Sequence, residues 1–403
     1  MSEKLQTRTH PLRLDDYDIS PNRGFLSAFE PTSIVLPVEL EPIRTAALDL
    51  PRTLPSGRIR ELLARLPEIS AAVIEALDEP QRRMAMVHYS FLVQSWVWGE
   101  DEAPRHLPAN LARPIWTLAE LLGQQPLLPY SSYVLDNWGR IDQAGPLTLD
   151  NITMHQGFLG GQDEAWFVLV HVAIEASAGG LLAEFPGLLA AAEARDTARM
   201  HDHLVRMIDV WKVINAHFDR MPERCDPYIY FHRVRPWIHG WKDNPALGPG
   251  LVYEGVEVTE GAPQSFRGQT GSQSSIVPAV DAVLGLGHAD DPLRRYLDEL
   301  HAYRPPAHRR FIEAVREAST VRQVTESLGN TTLITAYNEC VEQLARFRTR
   351  HLEYAATYIN QQSRDRQGNA VDIGTGGTPF MRYLKKHRNE TREQLLRDKL
   401  AVG

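Results

Sequence analysis

The sequence predicts an all-α protein. Three observations carry that expectation: apolar residues recur at helical spacing over three long stretches, strand-like alternation is scarce, and no repeat period is visible. The 403 residues are 43% hydrophobic and 23% charged, ordinary values for a globular chain of two or three units.

Residues 1–55 are rich in Pro, Asp and Arg, with one short apolar stretch at 33–38, and are expected to form an irregular arm laid over the protein. From Pro55 the pattern turns helical. Ile59, Leu62, Leu63 and Leu66 follow the i, i+3, i+4, i+7 spacing of an amphipathic helix, and Met84, Val87, His88, Phe91 and Leu92 do the same. Loop signals follow at 99–105 and 137–149. The second predicts a boundary between a small, mainly helical domain, 56–148, and a large all-α domain, 149–403. In the larger part, helices are expected at about 163–178, 196–218 and 331–360. A Gly-, Pro-, Gln- and Ser-rich stretch at 243–275 and a Gly/Asn/Asp-rich one at 362–377 read as long loops, of the kind that often serve function.

Composition narrows the function. Lys and Arg number 43 against 51 Asp and Glu, a net charge of −8, which argues against nucleic acid as a partner. Apolar runs such as 166–170 fall short of the roughly 20 residues that span a bilayer, so no membrane partner is expected. The first twenty residues lack an apolar signal-peptide core, which makes the cytoplasm the expected location. Two cysteines, Cys225 and Cys340, are too few for a disulfide framework or a cysteine zinc site.

The stretch 331–360 is the most informative. Leu333, Tyr337, Cys340, Leu344, Phe347, His351, Tyr354 and Tyr358 alternate at spacings of four and three and so share one core-facing stripe. His351 is therefore an imidazole in an apolar seam, either a hydrogen-bonded core histidine or an axial ligand to a haem iron. His171 repeats the situation among Phe167, Val170, Ile174 and Ala178, so the two histidines could flank a flat cofactor. His201 with His203, and His232 with His239, make weaker pairs, and no His-Glu-x-x-His motif is present. In the run from Tyr228 to Gly240, Arg233 and Arg235 sit among aromatics, as surface cation–π partners or as a clamp for a carboxylate. The run Gly374 to Thr378 lacks the spacing of a phosphate-binding loop.

Many short segments in one order resemble the indoleamine 2,3-dioxygenases, haem enzymes that open the indole ring of tryptophan. They include Trp96-Val97-Trp98-Gly99, Tyr133-Val134-Leu135-Asp136-Asn137-Trp138, Gly240-Trp241-Lys242-Asp243-Asn244-Pro245, Gln273-Ser274-Ser275 and Arg304-Pro305-Pro306-Ala307-His308-Arg309. The resemblance spans about 62–384. It implies an all-helical fold whose large domain holds haem b, ferrous for activity, with molecular oxygen as co-substrate and an unidentified reductant. His351 falls at the iron ligand, with Arg348 and Asp281 supporting it. Arg235 falls at the substrate-carboxylate arginine, Tyr230 and Phe231 on the aromatic wall beside it, and Tyr130, Tyr133 and Phe167 on the pocket lining. The turn 269–272 would lie above the haem, Gly271 against the cofactor and Thr270 against the substrate. Thr375 and Gly376 match a mobile loop that closes over substrate. His171 takes a distal position that is serine in the animal enzymes, marking a bacterial-type member with a distal histidine.

The activity so implied is cleavage of the indole C2–C3 bond to an N-formylkynurenine-type product, as in tryptophan catabolism by the kynurenine pathway. A haem monooxygenase or ring-rearranging enzyme of secondary metabolism is the nearest alternative. A non-catalytic haem oxygen-binding or sensor protein is the next.

Overall fold

The computed structural model describes residues 12–287, 292–362 and 380–397. Helices dominate, and the strands among the described residues form two two-stranded pairs. All three long helices expected from periodicity are present, as Gln162–Ala183, Thr197–Asp219 and Thr331–Ala355. Their starts are fixed locally. Asp196 accepts a hydrogen bond from the Arg199 N–H at 3.1 Å, and Asn330 accepts one from the Leu333 N–H at 2.9 Å, each satisfying an orphan donor of the first turn. The three helices pack together. Leu204, Met207, Ile208, Trp211, Ile214 and Phe218 are buried as one face of the middle helix, with Cys340 and Leu344 buried on the last.

The helix Glu79–Trp98 is buried on nearly every side rather than along one stripe, from Arg83 to Ser95. Its start carries a reciprocal cap: Asp78 accepts from the Gln81 N–H at 2.8 Å, while the Gln81 side chain accepts from the Asp78 N–H at 3.2 Å. The expected helix at Ile59 is short, Ile59–Leu63, with Ile59 and Leu63 inward and Leu62 exposed.

Two expectations need correction. The described part of the arm, 12–55, is not irregular throughout. It consists of short helical turns and the helices Glu41–Leu48 and Leu50–Thr53, with Ile43, Ala47 and Leu50 buried. Pro42 and Pro51 occupy the first turn of those helices, where a missing N–H costs nothing. The stretch expected as a boundary loop begins as a strand: Trp138–Arg140 pairs antiparallel with Ile152–Met154, too short a run to leave a period in the sequence. The 243–275 stretch is largely loop as expected, and is pinned through the parallel pair of His106–Leu107 with Val252–Tyr253 and a bridge from Leu251 to Gln264.

Composition alone would also let Gln162–Glu193 cross a membrane, a property not apparent from its short unbroken runs. In the structure 72% of its most apolar window is buried inside the protein, against neighbouring helices and the arm. At Gly179 the arm passes so close that an added Cβ would lie 2.4 Å from the Pro21 carbonyl oxygen.

One buried ion pair ties the Glu79–Trp98 helix to the turn that presents Tyr130 and Tyr133. Arg83 meets Asp136 at 2.6 Å, with Asp18 adding a contact at 3.0 Å. Burial works against the Arg83 charge, but the two carboxylates win and raise its pKa. Removing one partner leaves the other charge desolvated. Asp136→Ala should therefore cost roughly 3–5 kcal/mol in urea denaturation; a loss below about 1 kcal/mol would show that Asp18 alone suffices.

Candidate active site

The Thr331–Ala355 helix and the Gln162–Ala183 helix form two walls of a cavity of about 710 Å³. That lies within the roughly 300–1,000 Å³ of small-molecule and cofactor sites. His351 and His171 both reach it, one from each wall.

His351 is positioned by the end of its helix. Tyr354 donates its hydroxyl to the Phe218 carbonyl at 2.9 Å and Tyr358 to the Cys225 carbonyl at 2.7 Å, while Phe347 stacks on Phe218 at 4.8 Å. The imidazole itself has no hydrogen bond among the described residues. Burial, and then the neighbouring His171, push its pKa down to about 4, so it stands neutral with a lone pair available. Three residues earlier, Arg348 donates to Asp281 at 2.7 Å and to Thr391, which locks the wall beside His351. The pair expected from resemblance is thus in direct contact.

On the facing wall, His171 Nδ1 lies 2.7 Å from the Phe167 carbonyl oxygen. A carbonyl can only accept, so Nδ1 carries the proton and Nε2 keeps its lone pair. Burial lowers the pKa of this ring too. Phe167 packs 4.7 Å from His171 and 4.8 Å from Tyr230, making an aromatic corner of the cavity. Tyr130, Thr270 and Gly271 also line it. A side chain added at Gly271 would meet no protein atom within 4 Å, so the turn presents bare backbone to open space.

Other expected residues stand one layer back. Tyr133 packs behind Phe167 at 6.4 Å, between Phe91 and Phe158. Phe231 and Arg235 do not form the wall. Arg235 is 0% exposed, its guanidinium 5.6 Å from the Phe231 ring, and burial depresses its pKa. The cause is the backbone: the Arg235 N–H reaches back five residues to the Tyr230 carbonyl, and this widened turn puts Tyr230 on the wall and its successors behind it. Thr375 and Gly376 lie outside the described residues.

Sequence reasoning gave no role to Glu175, although it stands one helical turn beyond His171, a spacing that places both on one face. It is 0% exposed. Its Oε1 accepts the Tyr130 hydroxyl at 2.8 Å and the Ser274 hydroxyl at 2.7 Å, while Oε2 has no hydrogen-bond partner among the described residues. Burial outweighs both hydrogen bonds and lifts its pKa to about 7.

The fit to a cofactor can be tested on this donor set. Among the described residues no group of three or more His, Cys, Asp and Glu could hold a bare metal ion. One neutral imidazole on the wall of a large, aromatic cavity suits a metal that arrives with its own equatorial ligands, which is what a haem provides. The bare turn at Gly271 leaves room for such a planar group. The residues present fit haem.

The model of the family described as indoleamine 2,3-dioxygenase matches residues 13–394. The chain belongs to the indoleamine 2,3-dioxygenase family. It is 33% identical over 396 residues to indoleamine 2,3-dioxygenase 1 of Rattus norvegicus, covering 95% of this chain and 96% of that one. It is 32% identical over 406 residues to indoleamine 2,3-dioxygenase 2 of Homo sapiens, covering 96% of each. A fungal relative, indoleamine 2,3-dioxygenase nanC of Aspergillus nanangensis, is 29% identical over 395 residues, covering 94% of this chain and 96% of that one. As an indoleamine 2,3-dioxygenase the chain is an oxidoreductase of the haem-dependent, oxygen-using kind, with an indole as the small-molecule substrate class.

Glu175 makes one measurable claim. Its folded pKa of about 7 lies above the unfolded 4.5, so between those values the folded state holds a proton that the unfolded chain has lost. Stability is fully retained below pH 4.5 and falls as pH rises to about 7, by on the order of 3 kcal/mol. Glu175→Gln can still accept both hydroxyls but does not ionise. It should melt progressively higher than the parent as pH is raised from 4.5 to 7.5, whereas a constant offset across that range would show that Glu175 does not titrate there.

Proposed function

We propose that the protein is a haem b-dependent dioxygenase that cleaves the C2–C3 bond of the indole ring of tryptophan, or of a close derivative, to an N-formylkynurenine-type product. The observation that carries the reading is His351: a single neutral imidazole, without a protein partner among the described residues, on the wall of a cavity whose opposite face is aromatic. In this reading the haem is ferrous for activity and an unidentified reductant keeps it so. Residues 149–403 carry the cofactor, while 56–148 contribute Tyr130 and Tyr133. We place the protein in the cytoplasm, in the kynurenine-type breakdown of tryptophan. Its acidic charge and the buried position of its most apolar helix support small molecules, rather than nucleic acid or membrane, as its partners.

A haem held by His351 supplies the iron at which molecular oxygen reacts with the indole. The chain's own residues do the rest. The Arg348–Asp281 pair holds the His351 wall rigid, so the imidazole meets the cofactor without reorienting. Phe167 and Tyr230 form the corner against which the indole ring packs, excluding water from the reacting bond. His171, protonated on Nδ1, offers Nε2 as acceptor to the indole N–H and so fixes which edge of the ring faces the iron. Thr270 and Gly271 shape the roof over the substrate and the cofactor. Arg235 supplies positive charge for the substrate carboxylate from behind Tyr230, and Thr375 with Gly376 closes over the bound substrate.

Two variants test this assignment. His351→Ala should purify without a Soret band and without activity; a variant carrying a normal load of haem would remove the ligand from the account. Arg235→Ala should raise the KM for L-tryptophan by about twofold to fivefold, the loss of a nearby charge that acts on the carboxylate without a direct hydrogen bond. Turnover under oxygen-18 gas settles the reaction class, since both labelled atoms should appear in the initial product; one atom would indicate monooxygenation.

A further inference from the structure

Arg304 also lines the cavity and is only 4% exposed. Its surroundings are unusual for a buried cation. Nε donates to the Ser274 carbonyl at 3.1 Å, Nη2 to the Ser272 carbonyl at 2.8 Å, and Nη1 to His301 Nδ1 at 3.2 Å. Every one of these acceptors is uncharged. No carboxylate among the described residues pairs with it, whereas Arg348 on the same wall meets Asp281 at 2.7 Å and Arg294 meets Asp298 at 3.0 Å. Burial, and then the charge of Arg316, bring the Arg304 pKa down to about 10, still far above neutrality, so the cation persists without a counter-charge.

The guanidinium is also pre-set. His301 accepts from Arg304 on Nδ1, so Nε2 carries the proton and faces Glu313 at 3.4 Å, which fixes the imidazole tautomer. With three of its five N–H donors held by fixed acceptors, the group cannot swing away, and two donors remain. A desolvated cation with fixed geometry and spare donors is costly in an empty protein and favourable only when an anion arrives. The planar fork matches a carboxylate in particular.

We propose that Arg304 is a carboxylate-binding subsite of this cavity, taking either a propionate of the cofactor or the carboxylate of the indole substrate. The proposal rests on the haem dioxygenase reading. It also ties the two halves of the site together, because the carbonyls Arg304 grips belong to the turn whose Ser274 hydroxyl is bonded to Glu175. A carboxylate arriving at Arg304 therefore meets a roof already held from the other side.

The test uses the full-length apoprotein, titrated with haem b and with its dimethyl ester, in which both propionates are blocked, and read by the Soret band. The parent should prefer haem b, and in Arg304→Gln that preference should shrink by about tenfold to a hundredfold, with Arg304→Lys retaining most of it. If the substrate is the source, the haem preference stays and the KM ratio between L-tryptophan and tryptamine collapses instead. Either result supports the subsite. Equal weakening of both haems would mean that Arg304 only props the turn, and an unchanged preference together with an unchanged KM ratio would mean that it binds no carboxylate; both overturn the proposal. A parent apoprotein that takes up no haem b sinks the dioxygenase reading, and the proposal falls with it.

Discussion

Desolvation of one imidazole is the constraint on which the rest of this structure depends. In water a histidine titrates near pH 6.5 and half of its population is unavailable to a metal at that pH. Burial at the junction of two long helices moves His351 to about 4, so across the neutral range its lone pair is exposed to the cavity and to nothing else described. The surrounding features serve that state. Tyr354 and Tyr358 pin the helix end to backbone carbonyls, and Arg348 with Asp281 keeps charge nearby without letting it reach the ring.

The opposite wall is tuned differently. Where the His351 side is apolar with one nitrogen, the far side collects hydroxyls and a carboxyl around His171. Burial raises the Glu175 pKa to about 7, so near neutral pH part of its population carries no charge to repel an anionic guest. His171 and Glu175, which make this side polar, are i and i+4 neighbours on one helix.

How much of this was legible in the sequence varies with the physics. The long helices were, because a buried stripe must recur every three or four residues; the period around Trp211 and around His351 leaves little freedom. The short helices at Glu41 and Leu50 were not, because Pro42 and Pro51 carry the same letter whether they end a helix or begin one. His351 was singled out by spacing and given its role by resemblance, Arg348 and Asp281 were found through resemblance, and the contact between those two needed coordinates. Glu175 was within reach of spacing alone. Arg304 was not, since it stands in a non-periodic connection and owes its character to carbonyls thirty residues earlier in the chain. Arg235 shows the converse: resemblance set it beside an aromatic wall of Tyr230 and Phe231, and a widened turn leaves Tyr230 alone of the three on the cavity.

That widened turn recurs. Backbone bonds spanning five residues also close the turns Ser131–Leu135 and Ala356–Asn360, so these segments, like the one bearing Tyr230, each hold one residue more than a regular helix would. Such a surplus residue is a ready-made indel position. Losing it would restore ordinary helical winding while swinging everything beyond by roughly 100°. Deleting one residue there would re-aim the side chains that follow it while leaving the preceding turn in place.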